Sequence, residues 1–354
     1  MKILFTANSW DRILGGKENA TYEIVTRLSK YNCIEPHLLL FGKPKDKISN
    51  KIKLHSLFKL PNTIEKIPYC YNLLKPLYLP SIKSIIKRYD FDLIYISDNV
   101  PWGYFLKSIN VKKVLRLYGS DIYPPNKFFL TKNIFIKPSI QKMDKLISPS
   151  KWLSDYCCNY YNKKSTVIHT GIDLNLFKPL KVKREKNIIL YAGRLIKLKG
   201  IFELLEVAKE LKSYEFLFVG DGPLKGKINL PNTEYLGLKT KEELAQLYNK
   251  ATICVFPSHY DNFPNVCLEA MACGTPVIGT RFGFEEIIDH MKNGINIDPK
   301  NTAKLKEAII KLMENKGLQK KFSKNGLKKI KQFSWDIIAK KYYSNLKEII
   351  KNEK

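Results

Sequence analysis

Short strand-like runs, apolar on both faces, alternate with helical periods along this 354-residue chain, and the alternation restarts once near its middle. KILFTAN (2–8) reads as a strand, followed by a glycine loop and a helix with Ala20, Ile24 and Leu28 on one face. FDLIYIS (91–97), KKVLRLY (112–118), KLISPS (145–150) and STVIHT (165–170) read as further strands. Strands buried on both faces belong to parallel sheets covered by helices on both sides. KPLKVKREK (178–186) is polar, lysine-rich and contains a proline, which marks a linker. Beyond it come NIILYAG (187–193), EFLFVGDGP (215–223) and TICVFPS (252–258), separated by helical periods through Leu204, Leu205 and Ala208 and through Leu244, Leu247 and Ala251. Thr240 and Glu243 have the spacing of a capping box. Two such blocks predict an α/β chain of two parallel-sheet domains, 1–177 and 187–331, joined by 178–186, with a terminal helix in 332–354 crossing back to the first. A ligand of two such sheets is expected in the cleft between them, at the carboxyl ends of their strands.

Composition removes several other classes. Apolar residues are 44% and charged residues 27% of the chain, ordinary values for a folded protein. No apolar run approaches the ~20 residues of a membrane-spanning helix, and the opening MKILFTANSW reads as a strand and not as a signal sequence. Seven cysteines without a Cys-x-x-Cys pair fit a reduced, cytoplasmic chain with no zinc site. The charge is the outlying quantity, 61 basic less 33 acidic residues giving +28. It is spread evenly: residues 1–177 hold 28 basic and 13 acidic side chains, and 178–354 hold 33 and 20. Diffuse charge, with no zinc finger, helix-turn-helix or aromatic ribonucleoprotein motif, argues against specific nucleic-acid binding. One concentration stands out. Lys43 to Arg88 holds eleven basic and two acidic residues, interleaved with Tyr69, Tyr71, Leu73, Leu77, Tyr78, Ile82 and Ile85. It reads either as peripheral contact with an anionic inner membrane face or as two solvated helices with lysine outer faces.

The segment richest in chemistry is SHYDNFPNVCLEAMACGTPVIGT (258–280). A strand delivers the chain to a loop with Asp261, Asn262 and Phe263, Pro264 suits the first helical position, and Asn265 and Val266 follow. Val266, Ala270 and Cys273 share a helix face, with Gly274 as the stop. The free N–H groups within 263–266, where Pro264 has none, make a ready anion site, and Glu269 among small apolar residues needs a partner. The alternative is a capped helix with an acidic side chain on either side. In YAGRLIKLKG (191–200), Arg194 and Lys199 gather where the next helix begins. Two cations at a positive helix N-terminus make sense if an anion sits there, with arginine as a planar fork and lysine as a point charge.

GRLIKLKG, FVGDGP and DNFPNVCLEAMACGTPVI together resemble the donor-binding half of the family 4 retaining glycosyltransferases of GT-B fold. GGKE after the first strand, YGSD (118–121), ISPS (147–150) and TGIDLNLFKP (170–179) agree with its amino-terminal half, in the family's order and over nearly the whole chain. The resemblance implies two Rossmann-like domains and transfer of a sugar from a nucleotide-diphosphate sugar to a saccharide, lipid-linked or other hydroxyl acceptor, with retention and without a metal or other cofactor. It implies Arg194 and Lys199 on the donor diphosphate and Glu269 on the ribose as second acid of the Glu-x7-Glu motif. Asp261 holds the first-acid position, where glutamate is usual. EYLGLK (234–239), with Leu238, matches the segment bordering the base, and Gly16 matches the glycine loop facing the donor phosphates and the acceptor.

Tyr118 stands where the family commonly has histidine in His-Gly-x-Asp, so Tyr118 and Asp121 are read as acceptor-side groups. A phenol with pKa ~10 bonds a sugar hydroxyl but does not serve as a near-neutral acid or base. Thr170 replaces a common asparagine at the domain junction. Asp90-Phe91-Asp92, the one Asp-x-Asp, is read as polarity at the start of a strand and not as a metal site. His37, His55, His169, His259 and His290 show no ligand spacing, though His259 lies two residues before Asp261. A nicotinamide dehydrogenase is disfavoured because no Gly-x-Gly-x-x-Gly follows the first strand. A nucleotide-sugar epimerase or sugar-phosphate phosphorylase stays open as the alternative.

Overall fold

The computed structural model describes residues 1–7, 9–10, 16–58, 75–97, 101–106, 108–122, 135–182 and 184–351, with the backbone alone at 75, 101, 102, 120 and 121. The chain forms two compact units, Met1–His169 with Trp335–Lys354, and Thr170–Ser334.

The first unit is built on β1 (Lys2–Ala7), β2 (Glu35–Phe41), β3 (Lys53–Leu57), β4 (Leu93–Ile96), β5 (Lys112–Arg116), β6 (Lys145–Ser148) and β7 (Thr166–Val167). Their order is β3-β2-β1-β4-β5-β6-β7 and every pairing is parallel, with Phe5 between Leu38 and Tyr95. Helices Gly16–Leu28 and Trp335–Lys351 cover one face, burying Ile24, Leu28, Trp335, Ile338 and Tyr342 against Ile3, Phe5, Leu93 and Tyr95. Each such side chain contributes about 1.5–3 kcal/mol on leaving water. Arg27 joins the two helices, its Nη1 2.5 Å from Asp336 Oδ1 and its Nε 3.2 Å from Glu23 Oε2. On the other face lie Leu79–Tyr89 and Lys151–Tyr161, with Ile82, Leu153 and Cys157 against Leu39, Ile94 and Leu115.

The second unit repeats the plan with β8 (Ile188–Ala192), β9 (Glu215–Val219), β10 (Thr233–Gly237), β11 (Ile253–Val255), β12 (Val277–Thr280) and β13 (Ile295–Ile297), in the order β10-β9-β8-β11-β12-β13 and again all parallel. Helix Lys241–Lys250 opens on the capping box of Thr240 and Glu243.

Residues 178–186 are not a free linker. The second unit begins at Thr170, so this segment lies within it. Ile172 and Phe177 enter its core, Leu180 N bonds Asn249 Oδ1 at 2.8 Å, and Arg184 Nη1 bonds Ala251 O at 2.7 Å and Thr275 Oγ1 at 2.9 Å. A guanidinium that satisfies helix-end carbonyls fastens the segment despite its lysine content. Of the basic stretch 43–88, only part is described. It contains β3 and the helix Leu79–Tyr89, and its residues 59–74, with Tyr69, Tyr71 and Leu73, lie outside the described residues.

Candidate active site

In the second sheet the strands run outward from the central pair, β8 to β10 one way and β11 to β13 the other. Parallel sheets bind ligands outside the carboxyl ends of strands at such a reversal. The loops after β8 and β11 carry Arg194, Lys199, His259 and Asp261.

After β8 the chain passes Arg194, a 3₁₀ turn Lys197–Lys199, and Gly200, then enters the helix Ile201–Glu210. Leu195 N bonds Asp221 O and Tyr191 Oη donates to Arg194 O, both at 2.9 Å, which fixes the turn against the loop after β9. Gly200 has φ +71°, and a Cβ there would lie 2.0 Å from Pro257 O. Only glycine lets the turn close on the end of β11. The Arg194 guanidinium is exposed and makes no hydrogen bond or ion pair among the described residues. Burial and the nearby Asp261 charge push the Tyr191 phenol up, while Arg194 opposes them.

Lys199 Nζ lies 2.5 Å from Asp261 Oδ2, and the two side chains are 14% and 18% exposed. Asp261 Oδ1 accepts from Asn262 N at 2.9 Å, and Asp261 N bonds Phe282 O at 3.3 Å. Gly283, at φ +93°, makes that contact: a Cβ there would fall 2.2 Å from Asp261 O. Phe263 turns the loop with φ +61°, its buried ring edge-on to Phe333 at 5.2 Å. Pro264 is one position earlier than expected. Its ψ of 121° keeps it extended as the N-cap, and the helix is Asn265–Ala272, ending before Gly274 at φ +72°.

Glu269, half-buried on that helix, receives a 3.0 Å hydrogen bond on Oε2 from Tyr248 Oη. Burial raises the carboxyl pKa, and the Tyr248 bond and the Lys241 charge oppose the rise. Leu238, 75% exposed, follows β10 at the same sheet edge. The second unit thus brings Lys199, Asp261 and Asn262 into contact, with Arg194 in the turn that leads to Lys199 and Glu269 on the helix that follows the Asp261 loop.

Gly16 and Tyr118 belong to the first unit. Gly16 opens the helix Gly16–Leu28, and Lys17 Nζ sits 4.7 Å from the Tyr118 ring centroid, with the Arg116 guanidinium carbon 5.4 Å from it. Asp121 lies in the short helix Gly119–Ile122, and its side chain is outside the described residues. Asp90 and Asp92 sit at the opposite, amino edge of that sheet. Asp90 ends a helix in the left-handed conformation, and Asp92 Oδ2 accepts from Lys2 N at 2.7 Å.

Two participants escaped the sequence. Tyr248 read only as an inner-face residue, although a buried phenol needs a partner for its hydroxyl. Glu203 carries no local sequence signal, yet its Oε1 lies 2.6 Å from His259 Nε2. Among the described residues, no group of three or more His, Cys, Asp or Glu is placed to hold a metal, and no helix is long and apolar enough to cross a membrane.

The sequence pattern of Glycosyltransferase Family 4 matches residues 14–176, and that of Glycosyl transferases group 1 matches residues 173–329. An uncharacterized glycosyltransferase of Methanocaldococcus jannaschii is 30% identical over 348 residues, covering 95% of each chain. Sucrose-phosphate synthase from Thermosynechococcus elongatus superposes with a TM-score of 0.85 at 21% identity, over 99% of each chain. HepE of Anabaena, solved in complex with UDP, does so with a TM-score of 0.78 at 19% identity, over 98% of this chain and 100% of that one. Those two share the GT-B fold of paired parallel-sheet domains. Patterned on this family in both halves and related over nearly its full length, the chain belongs to the group 1 glycosyltransferases of family 4 type.

Proposed function

We propose that this glycosyltransferase moves a sugar from a nucleotide-diphosphate sugar to a hydroxyl acceptor, saccharide or lipid-linked, with retention at the anomeric carbon and without a metal. The Lys199–Asp261 pair, 2.5 Å apart at the carboxyl edge of the second sheet, carries the reading. Breaking the bond from the anomeric carbon leaves its electron pair on a diphosphate oxygen. A fixed ammonium and the exposed Arg194 guanidinium offset that charge, as preorganised groups do at the site of developing charge. When a diphosphate takes Lys199, Asp261 is released to accept a hydrogen bond from a donor-sugar hydroxyl. Glu269, held by Tyr248, accepts from the ribose hydroxyls, and Leu238 borders the base. Tyr118 and Asp121 are the acceptor-side groups, and Gly16 is in the glycine loop that serves the donor phosphates as well as the acceptor. Structural neighbours solved with UDP and with UDP-glucose support a nucleotide-sugar donor. The same reading places the enzyme in the cytoplasm, engaged in polysaccharide or glycolipid synthesis, with the exposed Lys83, Lys87 and Arg88 resting on the anionic inner membrane face.

The test is turnover against a panel of nucleotide-sugars, with EDTA or magnesium, and assignment of the product anomer by NMR. Unchanged turnover in EDTA and an α-product from an α-donor are expected. Loss of turnover in EDTA, or a β-product, overturns the reading. Replacing Arg194 and Lys199 together by alanine abolishes donor binding by calorimetry, and retained affinity removes the diphosphate assignment.

A further inference from the structure

Lys199 ends the 3₁₀ turn before Gly200, and Glu203 lies in the first turn of the helix Ile201–Glu210 that follows. His259 and Asp261 are two apart in the loop after β11. The two pairs meet rung to rung: Lys199 Nζ to Asp261 Oδ2 at 2.5 Å, and Glu203 Oε1 to His259 Nε2 at 2.6 Å. His259 N also bonds Leu198 O at 2.9 Å, so the second rung stands beside a backbone link between the same two segments. A carboxylate oxygen only accepts, which places the hydrogen on Nε2 of the imidazole. Glu203 Oε2 is buried without a hydrogen-bond partner among the described residues, and His259 and Glu203 are 11% and 17% exposed. A carboxylate kept in so dry a place, held through one oxygen, is an expensive way to tie a helix to a loop unless the tie has a task.

We infer that Glu203 and His259 are a positioning pair: their hydrogen bond holds the loop carrying Asp261 against the turn carrying Lys199 while the donor diphosphate occupies that turn. This rests on the proposed donor site. The first rung opens when a diphosphate draws Lys199 away from Asp261. The Glu203–His259 rung is then the side-chain link that remains. Without it the bond from His259 N to Leu198 O still ties the two segments, but the side-chain restraint that keeps the cation and carboxylate facing one ligand is lost.

The experiment uses the full chain and inorganic pyrophosphate as probe, by calorimetry, with unfolding midpoints recorded for each variant. Glu203→Ala, His259→Ala and His259→Asn, whose amide falls short of Glu203, are each expected to weaken pyrophosphate binding about fivefold or more. Glu203→Gln and His259→Gln keep an acceptor and a donor at the right reach and stay within about twofold of the parent. The Glu203→Ala/His259→Ala double variant binds no worse than either single one, because one bond is lost once. Parent-like binding by the alanine variants, equal loss in the glutamine variants, or additive loss in the double variant overturns the pairing, provided Arg194→Ala/Lys199→Ala has lost binding. If that last variant binds like the parent, or the parent does not bind pyrophosphate, the donor site itself falls and the pairing with it. Should the alanine variants not fold, the comparison of His259→Asn with His259→Gln decides.

Discussion

Tyr248 Oη donates to Glu269 Oε2 at 3.0 Å and so joins helix Lys241–Lys250 to helix Asn265–Ala272. Burial pushes the phenol well above its usual range and the carboxyl upward, while the bond between them lowers the carboxyl pKa. Tyr248→Phe removes that restraint, so Glu269 takes a proton at higher pH. A hydrogen bond of about 0.5–1.5 kcal/mol corresponds to roughly 0.4–1 pH unit. The acid limb of the kcat/KM profile should move up by that amount. Glu269→Ala should raise the donor KM and cut kcat/KM by about tenfold or more. Unchanged kinetics in Glu269→Ala would take it out of the site.

The reasons why Lys199, Asp261 and Glu269 were legible, and their partners were not, are physical. Lys199 and Asp261 follow apolar runs that end in glycine or proline, so their place at a sheet edge comes from local pattern. Tyr248 meets Glu269 across 21 residues and Glu203 meets His259 across 56, and no local period encodes such a pairing. The strands divide in the same way. β8, β9 and β11 are continuous apolar runs, whereas β13 (INI) is too short to show a period, and β3 (KLHSL) carries too few apolar residues. EPHLLLF, which is β2, is apolar enough, but its histidine and proline obscured it. The segment 178–186 misled because its anchors, Leu180 and Arg184, bond to backbone and side chains some 65–90 residues away.

β2 and β3 hold a pair that predicts a pH dependence. His37 Nδ1 lies 2.8 Å from His55 Nε2, and His37 Nε2 lies 3.1 Å from Glu35 Oε1. Burial, above all, lowers both imidazoles, His55 to about 4, with Lys53 and Arg88 adding positive charge against it and Lys2 and Lys53 against His37. Tyr89 and Phe91 close the pair off. A base whose pKa is lowered by folding contributes stability that is complete above its unfolded pKa of 6.5 and fades as the pH falls towards 4. The loss should be on the order of 1 kcal/mol, discounted because His55 keeps part of its surface in water. Denaturant unfolding between pH 7 and pH 4 checks it: His55→Gln should flatten the decline, and an equally steep decline would exclude the pair as its source.

The helix Leu79–Tyr89 buries Ile82 and exposes Lys83, Lys87 and Arg88. Near an anionic lipid surface each such charge adds about 1 kcal/mol. Replacing all three by glutamine should therefore weaken sedimentation with phosphatidylglycerol vesicles by up to roughly a hundredfold, and more at low salt than at high. Equal binding by parent and variant would show that this helix does not face the membrane.

Gly200 and Gly283 test whether backbone fit or side-chain chemistry limits the site. Both have left-handed φ, and a Cβ on either meets a carbonyl oxygen that cannot yield cheaply, Pro257 O at 2.0 Å and Asp261 O at 2.2 Å. The conformation alone costs an alanine about 1–2 kcal/mol, and relieving the overlap must move the Lys199 turn in one case and the Asp261 loop in the other. Gly226→Ala is the control, since a Cβ there meets nothing within 4 Å and its φ is not left-handed. Gly200→Ala and Gly283→Ala should lower the thermal midpoint by roughly 2–8 °C and raise the donor KM, while Gly226→Ala leaves KM unchanged. A lowered midpoint with an unaltered KM would mean that the turn and loop can shift without disturbing the Lys199–Asp261 pair, so that its geometry does not set donor affinity.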